Sequence, residues 1–287
     1  MRNFGKHSID IVLNSVEVFE HELANRAVHE AVDQFLVVPI SSVHQFIRCV
    51  EVLQRHASRG RRLIFRGHRN ESYELVPGIM RHPVFGKGPS SDEVKEYEKD
   101  LLSNFAELAR PFLANPPRLD RHIWELLALA QHHRLPTRLL DWTYRAGTAL
   151  FFALEDMDGL QRAEDTGPDS CVFAIFAPRS LDASSHVYDP NAIDDVFLYN
   201  PPHISPRITM QQGCFTAHPN HYMVREYRWI DSEPRVVFTI SNIDRQHLRD
   251  GMRAIGINRA ALFPDLDGIC GYLRENLTPV RIPQRPH

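Results

Sequence analysis

Three short apolar runs, set far apart in the chain, constrain the fold more than any other feature. They are residues 63–65, 171–178 and 235–240, and each is rich in Val, Ile or Phe, which is typical of buried strands. The run 171–178 is apolar almost throughout, as expected in a sheet covered on both faces. Residues 207–215 predict two further strands joined by a turn, and residues 184–206 a long loop.

Helical patterns separate these strands. The spacing of apolar residues predicts helices over residues 16–36, 42–55, 91–110, 121–133, 145–156 and most of 244–277. Thr143 is the expected cap of the helix over 145–156. Strands and helices do not alternate strictly, so we predict an α+β fold with a central mixed sheet and flanking helices. We place it in residues 37–287, preceded by an N-terminal helical extension, residues 1–36.

Charge and hydropathy exclude several classes of partner. The 287 residues include 33 Lys and Arg against 36 Asp and Glu, a net charge of −3, and this lacks the basic excess typical of nucleic-acid binding. No apolar run is long enough to span a bilayer, and the first residues lack a signal-peptide core. We therefore predict a cytoplasmic protein with no nucleic-acid and no membrane partner.

The 16 histidines suggest a metal site, which the motifs do not support. His218 and His221 have usable spacing, but no HExxH motif or cysteine pair accompanies them. We expect no metal. The motifs GxGxxG and GxxxxGK are also absent, which argues against a Rossmann fold or a P-loop NTPase.

Four stretches together resemble the FRG domain family. They are Phe65-Arg66-Gly67, the segment 130–153 (AQHHRLPTRLLDWTYRAGTALFFA), the segment 207–215 (RITMQQGCF) and the closing 261–268 (ALFPDLDG). The resemblance spans residues 40–277. His68 stands where the family tends to have Gln, and Arg134 where it tends to have Gly. The family implies a bacterial or phage-related setting, with some members in predicted defence or toxin contexts. A protein target, antitoxin or regulator is then a possible partner.

Three motifs also stand in the order typical of ADP-ribosyltransferases of the arginine-serine-glutamate kind. They are Phe65-Arg66-Gly67, then Thr143 followed by residues 149–153 (ALFFA), then Gln211-Gln212 before Gly213. This resemblance implies an ADP-ribosyltransferase-like fold, a small nucleotide ligand, and NAD as the cofactor. Arg66 would grip the phosphates, because its guanidinium is a planar, permanently charged fork. Gln212 stands where those enzymes carry a carboxylate, and Asp141 or Glu226 would have to compensate for its missing charge. His132 or His133 would act as acid or base.

The remaining candidate residues would bind the cofactor. Gly67 would allow close approach, Thr143 would hydrogen-bond the nicotinamide ribose, and Trp142 would stack on a ring. The full predicted cofactor-binding set is Phe65, Arg66, Gly67, Arg138, Asp141, Trp142 and Thr143.

Structural roles remain open for the same residues. Arg66 can pair with an acid such as Asp141, Trp142 can belong to the core, and Gln212 with Gly213 can form a turn. The favoured function is an NAD-using ADP-ribosyltransferase or NAD glycohydrolase. The alternatives are a non-catalytic nucleotide- or protein-binding module, and a nuclease built on His132, His133 and Asp141.

Overall fold

A computed structural model of the chain describes residues 11–12, 16–26, 36–56, 61–85, 90–113, 117, 122–155, 167–181, 189–202, 206–220 and 235–277. Their strands form one eight-stranded mixed sheet in the order β1-β2-β8-β5-β3-β4-β7-β6. The strands are β1 (Ile11–Val12), β2 (Leu36–Pro39), β3 (Leu63–His68), β4 (Leu139–Thr143), β5 (Ser170–Phe176), β6 (Phe197–Tyr199), β7 (Gly213–Ala217) and β8 (Val236–Ile240).

Helices flank the sheet, which confirms the α+β prediction. The helices are α1 (Val16–Arg26), α2 (Val43–His56), α3 (Ser91–Ala109), α4 (Ile123–His132), α5 (Ala146–Leu154), α6 (Pro206–Gln211), α7 (Arg245–Ala254), α8 (Arg259–Leu262) and α9 (Leu266–Asn276). Strand β2 pairs in parallel with β1 and β8, and the other neighbouring strands are antiparallel.

The buried side chains form one large cluster and smaller ones. The large cluster packs α1, α2, α5 and α7 against β2, β3, β5 and β8, with Phe65 and Phe238 inside it. A second cluster packs α3 and α4 against β4, β6 and β7. Alternate residues of the central strands, including Trp142 and Phe173, form a third cluster. Within the described residues, no helix is long and apolar enough to cross a membrane.

Two sequence predictions about secondary structure are wrong. The helix predicted over 16–36 ends at Arg26, and Leu36 starts β2, because the apolar run 36–38 pairs with β8. Residues 27–35 lie outside the described residues. Residues 206–211 form helix α6 rather than a strand, with Pro206 at the first helical position, where its fixed φ suits a helix.

Two further predictions need smaller corrections. The predicted loop 184–206 contains strand β6, which pairs with β7. Helix α5 has Arg145 rather than Thr143 as its N-cap residue. The Thr143 hydroxyl still satisfies the start of the helix, because it accepts a hydrogen bond from the Arg145 N–H (3.0 Å).

The sheet is weakly joined at its centre. Strand β3 pairs with β5 from Leu63 to His68, and β4 pairs with β7 along its whole length. Between β3 and β4, the described residues show pairing only at Phe65 and Thr143. Beyond that pair the described residues of β3 and β4 form no further ladder pairs, and we call this break in the pairing the opening. The Phe-Arg-Gly motif lies on one side of it and Asp141 on the other.

Candidate functional site

The three sequence motifs meet in neighbouring strands. Phe65 on β3 pairs with Thr143 on β4, and Thr143 pairs in turn with Gly213 on β7. Arg66 follows the first residue of this row and Gln212 precedes the last. Motifs that are far apart in sequence are therefore side by side in the sheet.

Arg66 bridges the opening between β3 and β4. Its Nη1 donates a hydrogen bond to the backbone carbonyl of Asp141 (2.7 Å) and lies 3.7 Å from Asp141 Oδ2. Its Nε donates to His68 Nε2 (2.9 Å). The side chain is 18% exposed, so part of it reaches solvent.

His68 holds the Arg66 side chain in place. Its Nε2 accepts from Arg66, so its Nδ1 carries the proton and donates to the carbonyl oxygen of Tyr73 (3.2 Å). Burial is the main cause that holds the pKa of His68 well below its ordinary value, and the Arg66 guanidinium lowers it further. The neutral ring is therefore the form that this site requires.

Asp141 presents an oriented, exposed carboxylate. Gln131 Nε2 donates to Asp141 Oδ2 (2.8 Å), and Gln131 is in turn fixed by the Thr137 hydroxyl, which donates to its Oε1 (2.8 Å). The side chain of Asp141 remains 55% exposed. A carboxylate held by a chain of hydrogen bonds but open to solvent can face a developing positive charge on a ligand.

Phe65 and Gly67 serve packing. Phe65 is buried in the large cluster. A Cβ on Gly67 would lie 1.9 Å from the Ala149 carbonyl oxygen and 2.6 Å from the Ala153 nitrogen. The glycine therefore lets α5 lie directly on β3, which is a different reason for glycine than close approach of a ligand.

Thr143 and Trp142 already have hydrogen-bond partners. The Thr143 hydroxyl donates to the Gln211 carbonyl (2.6 Å), which ties β4 to the end of α6. Trp142 Nε1 donates to the Thr216 hydroxyl (2.9 Å), and its ring belongs to the third cluster. Both side chains are buried, so they take part in the packing and hydrogen bonding around the Phe65–Thr143–Gly213 row.

Gln212 occupies a turn between α6 and β7. Its φ of 47° lies in the left-handed region, and its carbonyl accepts a hydrogen bond from the Tyr144 N–H (3.1 Å). The residue is exposed. The turn keeps Gln212 beside the row, as the structural alternative for residues 212–213 predicts, and leaves its side chain accessible.

Arg138 is buried away from the opening. Its guanidinium forms an ion pair with Glu98, donates to the Pro190 carbonyl, and donates from Nη2 to Asn191 Oδ1 (3.0 Å). Its side chain is 1% exposed, so it has no face open to a cofactor. The geometry matches the structural alternative that the sequence left open for this residue.

The two consecutive histidines end helix α4 beside the site. His133 is exposed and His132 is half-buried, with their rings 5.2 Å apart. Burial is the main cause that lowers the pKa of His132, followed by His133 and Arg207, while Asp141 and Asp265 oppose the shift. The Asp141 carboxylate therefore acts on the charge of His132. The lowered pKa favours the neutral form of His132, which can accept a proton.

The metal hypothesis finds no support in the described part of the chain. No group of three or more metal-binding side chains occurs there. His218 Nε2 lies 2.8 Å from the Thr216 hydroxyl, and burial lowers the pKa of His218 to about 3. His221 and the alternative carboxylate Glu226 lie outside the described residues.

Sequence reasoning missed Gln131, Thr137 and Glu98. Gln131 and Thr137 stand inside the stretch that carries the family resemblance, so the signal for them was present. Glu98 gave no such signal, because its partner Arg138 is 40 residues away.

Comparison with known proteins identifies one region. Residues 61–161 match the family model of the FRG domain, which is about a third of the chain and includes Phe65-Arg66-Gly67 and the whole of segment 130–153. This confirms the predicted resemblance to the FRG domain family, while the stretches 207–215 and 261–268 lie outside the matched region. No match was found among the curated proteins or among the solved structures.

Proposed function

We propose that this chain, in which residues 61–161 form an FRG domain, binds NAD at the opening between β3 and β4 and breaks its nicotinamide–ribose bond. The observation that carries the proposal is the row Phe65–Thr143–Gly213, which brings all three motifs of the ADP-ribosyltransferase resemblance into neighbouring strands.

The reaction defines what the site has to do. When the bond between nicotinamide and ribose breaks, its electron pair leaves with nicotinamide and positive charge develops on the ribose. Water or an acceptor nucleophile then attacks the ribose and loses a proton, giving ADP-ribose or an ADP-ribosylated acceptor. A negative group near the ribose stabilises that charge more in the transition state than in the bound substrate.

Asp141 is the residue we assign to this charge. Gln212 is a neutral amide, which can hydrogen-bond a ribose hydroxyl but brings no negative charge. The Asp141 carboxylate is held by Gln131 at 2.8 Å and remains 55% exposed. In this assignment Arg66 contacts the pyrophosphate, and neutral His132 accepts the proton from the attacking nucleophile.

The test is nicotinamide release from NAD by the purified full-length chain. We expect release from the wild type and a loss of about a hundredfold in Asp141→Asn, because the amide keeps the bond to Gln131 but removes the charge. Glu107→Gln, which removes an exposed carboxylate on α3, is the matched control and is expected to release nicotinamide like the wild type. No release by the wild type would contradict the enzymatic proposal.

A non-catalytic nucleotide-binding module is the second candidate. Thr143 and Trp142 favour it, because the hydroxyl and the indole N–H already have partners within the fold. This candidate predicts that NAD raises the melting temperature without release of nicotinamide. Arg66→Lys should then abolish the shift while circular dichroism stays unchanged, because Lys lacks the planar fork.

A further inference from the structure

Helix α9 presents its large apolar side chains outward. Leu266, Leu273 and Leu277 are 78%, 42% and 67% exposed, and Cys270 is also exposed. These residues follow one another at intervals of four, three and four, so they form one stripe along α9, with Leu277 as the C-cap residue just after the last helical residue, Asn276. Ile269, which is 46% exposed, widens the stripe on one side.

The opposite face of α9 carries small residues and holds the helix on the fold. A Cβ on Gly268 would lie 2.0 Å from the Phe263 carbonyl oxygen, and one on Gly271 would lie 2.2 Å from Arg259 Cδ. Arg259 Nε also donates to Glu275 Oε1 (3.0 Å). A surface helix normally buries its apolar face, so the reversed arrangement of α9 indicates that another surface covers the leucines.

The spacing of the stripe is that of a two-helix coiled coil. Leu266, Cys270, Leu273 and Leu277 take the alternating seam positions of the heptad repeat. Asp267 and Arg274 are seven residues apart and flank the seam on the same side. Both are exposed, and neither has an ion-pair partner within the described part of the chain.

Asp267 and Arg274 indicate which partner covers the stripe. If two copies of α9 pack antiparallel about a two-fold axis, Asp267 lies opposite Arg274 of the partner subunit, and Arg274 lies opposite Asp267 of the partner subunit. A parallel pair would instead place Arg274 beside Ile269 of the partner subunit. The surface is therefore complementary to itself in one orientation.

We propose that α9 is a homodimer interface, in which two copies of this chain pack antiparallel along the stripe of Leu266, Cys270, Leu273 and Leu277. One pair of helices of this length buries less surface than a standard stable interface, so we expect a dissociation constant on the order of micromolar. The interface uses none of the residues assigned to the proposed NAD site and does not depend on that assignment.

Sedimentation of the full-length chain over a wide concentration range tests the interface. The wild type is expected to approach twice the monomer mass, and Leu273→Asp to raise the dissociation constant about tenfold or more. Ile243→Asp is the matched control, because Ile243 is 85% exposed in the short turn 242–244, and it should leave association unchanged. A monomer at every concentration, or a dimer that persists in Leu273→Asp, would overturn the proposal.

Exchanging the charges of Asp267 and Arg274 tests the antiparallel orientation. Asp267→Arg and Arg274→Asp should each weaken the dimer, because like charges then meet, and the double variant should restore it. If the double variant is as weak as the two single variants, the antiparallel pairing is overturned.

Cys270 provides an independent readout. The other three cysteines are buried, and burial raises the pKa of Cys49 to about 11 and that of Cys214 to about 12. A short thiol-specific cross-linker should therefore join native chains through Cys270 alone, and Cys270→Ser should prevent it. Absence of cross-linked dimer in the native chain would overturn the proposal.

Discussion

Arg66 Nη1 donates a hydrogen bond to the backbone carbonyl of Asp141 (2.7 Å) at the point where β3 and β4 part. A side chain here supplies the donor that a neighbouring strand would provide in a continuous sheet. The guanidinium therefore holds the two halves of the sheet together while the Asp141 carboxylate stays open to solvent.

Gly67→Ala should strongly destabilise the fold. The added Cβ meets backbone atoms of Ala149 and Ala153, which cannot rotate away, so α5 has to shift. We expect a loss of about 3 kcal/mol in the free energy of unfolding, measured by urea denaturation. Gly213→Ala is the control, because its Cβ would have no neighbour closer than 3.9 Å, and it should cost less than about 1 kcal/mol. Equal losses in the two variants would contradict the packing role.

Glu98→Gln should leave the buried charge of Arg138 without its counter-ion. Glu98 accepts from both the backbone N–H and the guanidinium of Arg138, and both side chains are almost fully buried. Removing the carboxylate charge leaves Arg138 uncompensated, at a cost of about 3–5 kcal/mol in the free energy of unfolding. The control Glu96→Gln breaks only an exposed pair with Lys99 and should cost about 0.5 kcal/mol or less. A Glu98→Gln chain as stable as the control would show that the pair does not carry this energy.

His68→Gln should reduce the loss of folding stability at acidic pH. A glutamine can accept from Arg66 and donate to the Tyr73 carbonyl, so the variant should retain its stability at neutral pH. In the wild type the folded state holds His68 neutral, while the unfolded chain protonates it below about pH 6.5. His68 therefore contributes full stability above that pH and loses about 1.4 kcal/mol per pH unit below it.

Unfolding free energies at pH 7 and pH 5 measure this difference. The wild type should lose more stability than His68→Gln between the two values. Parallel losses would mean that His68 does not titrate as its burial indicates. His218, whose pKa burial lowers to about 3, contributes equally in both proteins and cancels from the comparison.

Arg134→Gly should stabilise the turn after α4. Arg134 has a φ of 68°, and its N–H donates to the Gln131 carbonyl (2.9 Å) in a helix-terminating turn. A residue with a Cβ is strained in this region and glycine is not, so we expect a gain of about 0.5–1 kcal/mol in the free energy of unfolding. A loss of stability would show that the exposed arginine makes a contribution larger than the strain.

The sequence predicts the elements whose pattern lies within one short segment. Strands β3, β5 and β8 follow from their apolar runs, and helices α2, α3 and α4 follow from their periodicity. The structure explains both departures from the family pattern, since Arg134 occupies a left-handed position and His68 makes two hydrogen bonds that a glutamine can also make.

Long-range pairing limits what the sequence can predict. Strand β6 is short and is defined by its pairing with β7, and α6 is a single short helix in a segment that also reads as a strand. The burial of Arg138 depends on Glu98, 40 residues away. The motifs of the candidate site can be identified from the sequence. The hydrogen-bond partners of Thr143 and Trp142, and the hydrogen bond from Gln131 to Asp141, are visible only in the folded structure.

The most direct test of the proposed NAD site is the rate of nicotinamide release by Gln212→Glu. This variant places a negative charge where the resembling enzymes carry one, in the turn beside the Phe65–Thr143–Gly213 row, and we expect release to rise about tenfold or more over the wild type. Met210→Glu adds the same charge two residues earlier on α6, at a residue that is 41% exposed, and should leave the rate unchanged. If Gln212→Glu releases nicotinamide no faster than Met210→Glu, the row is not an NAD-cleaving site.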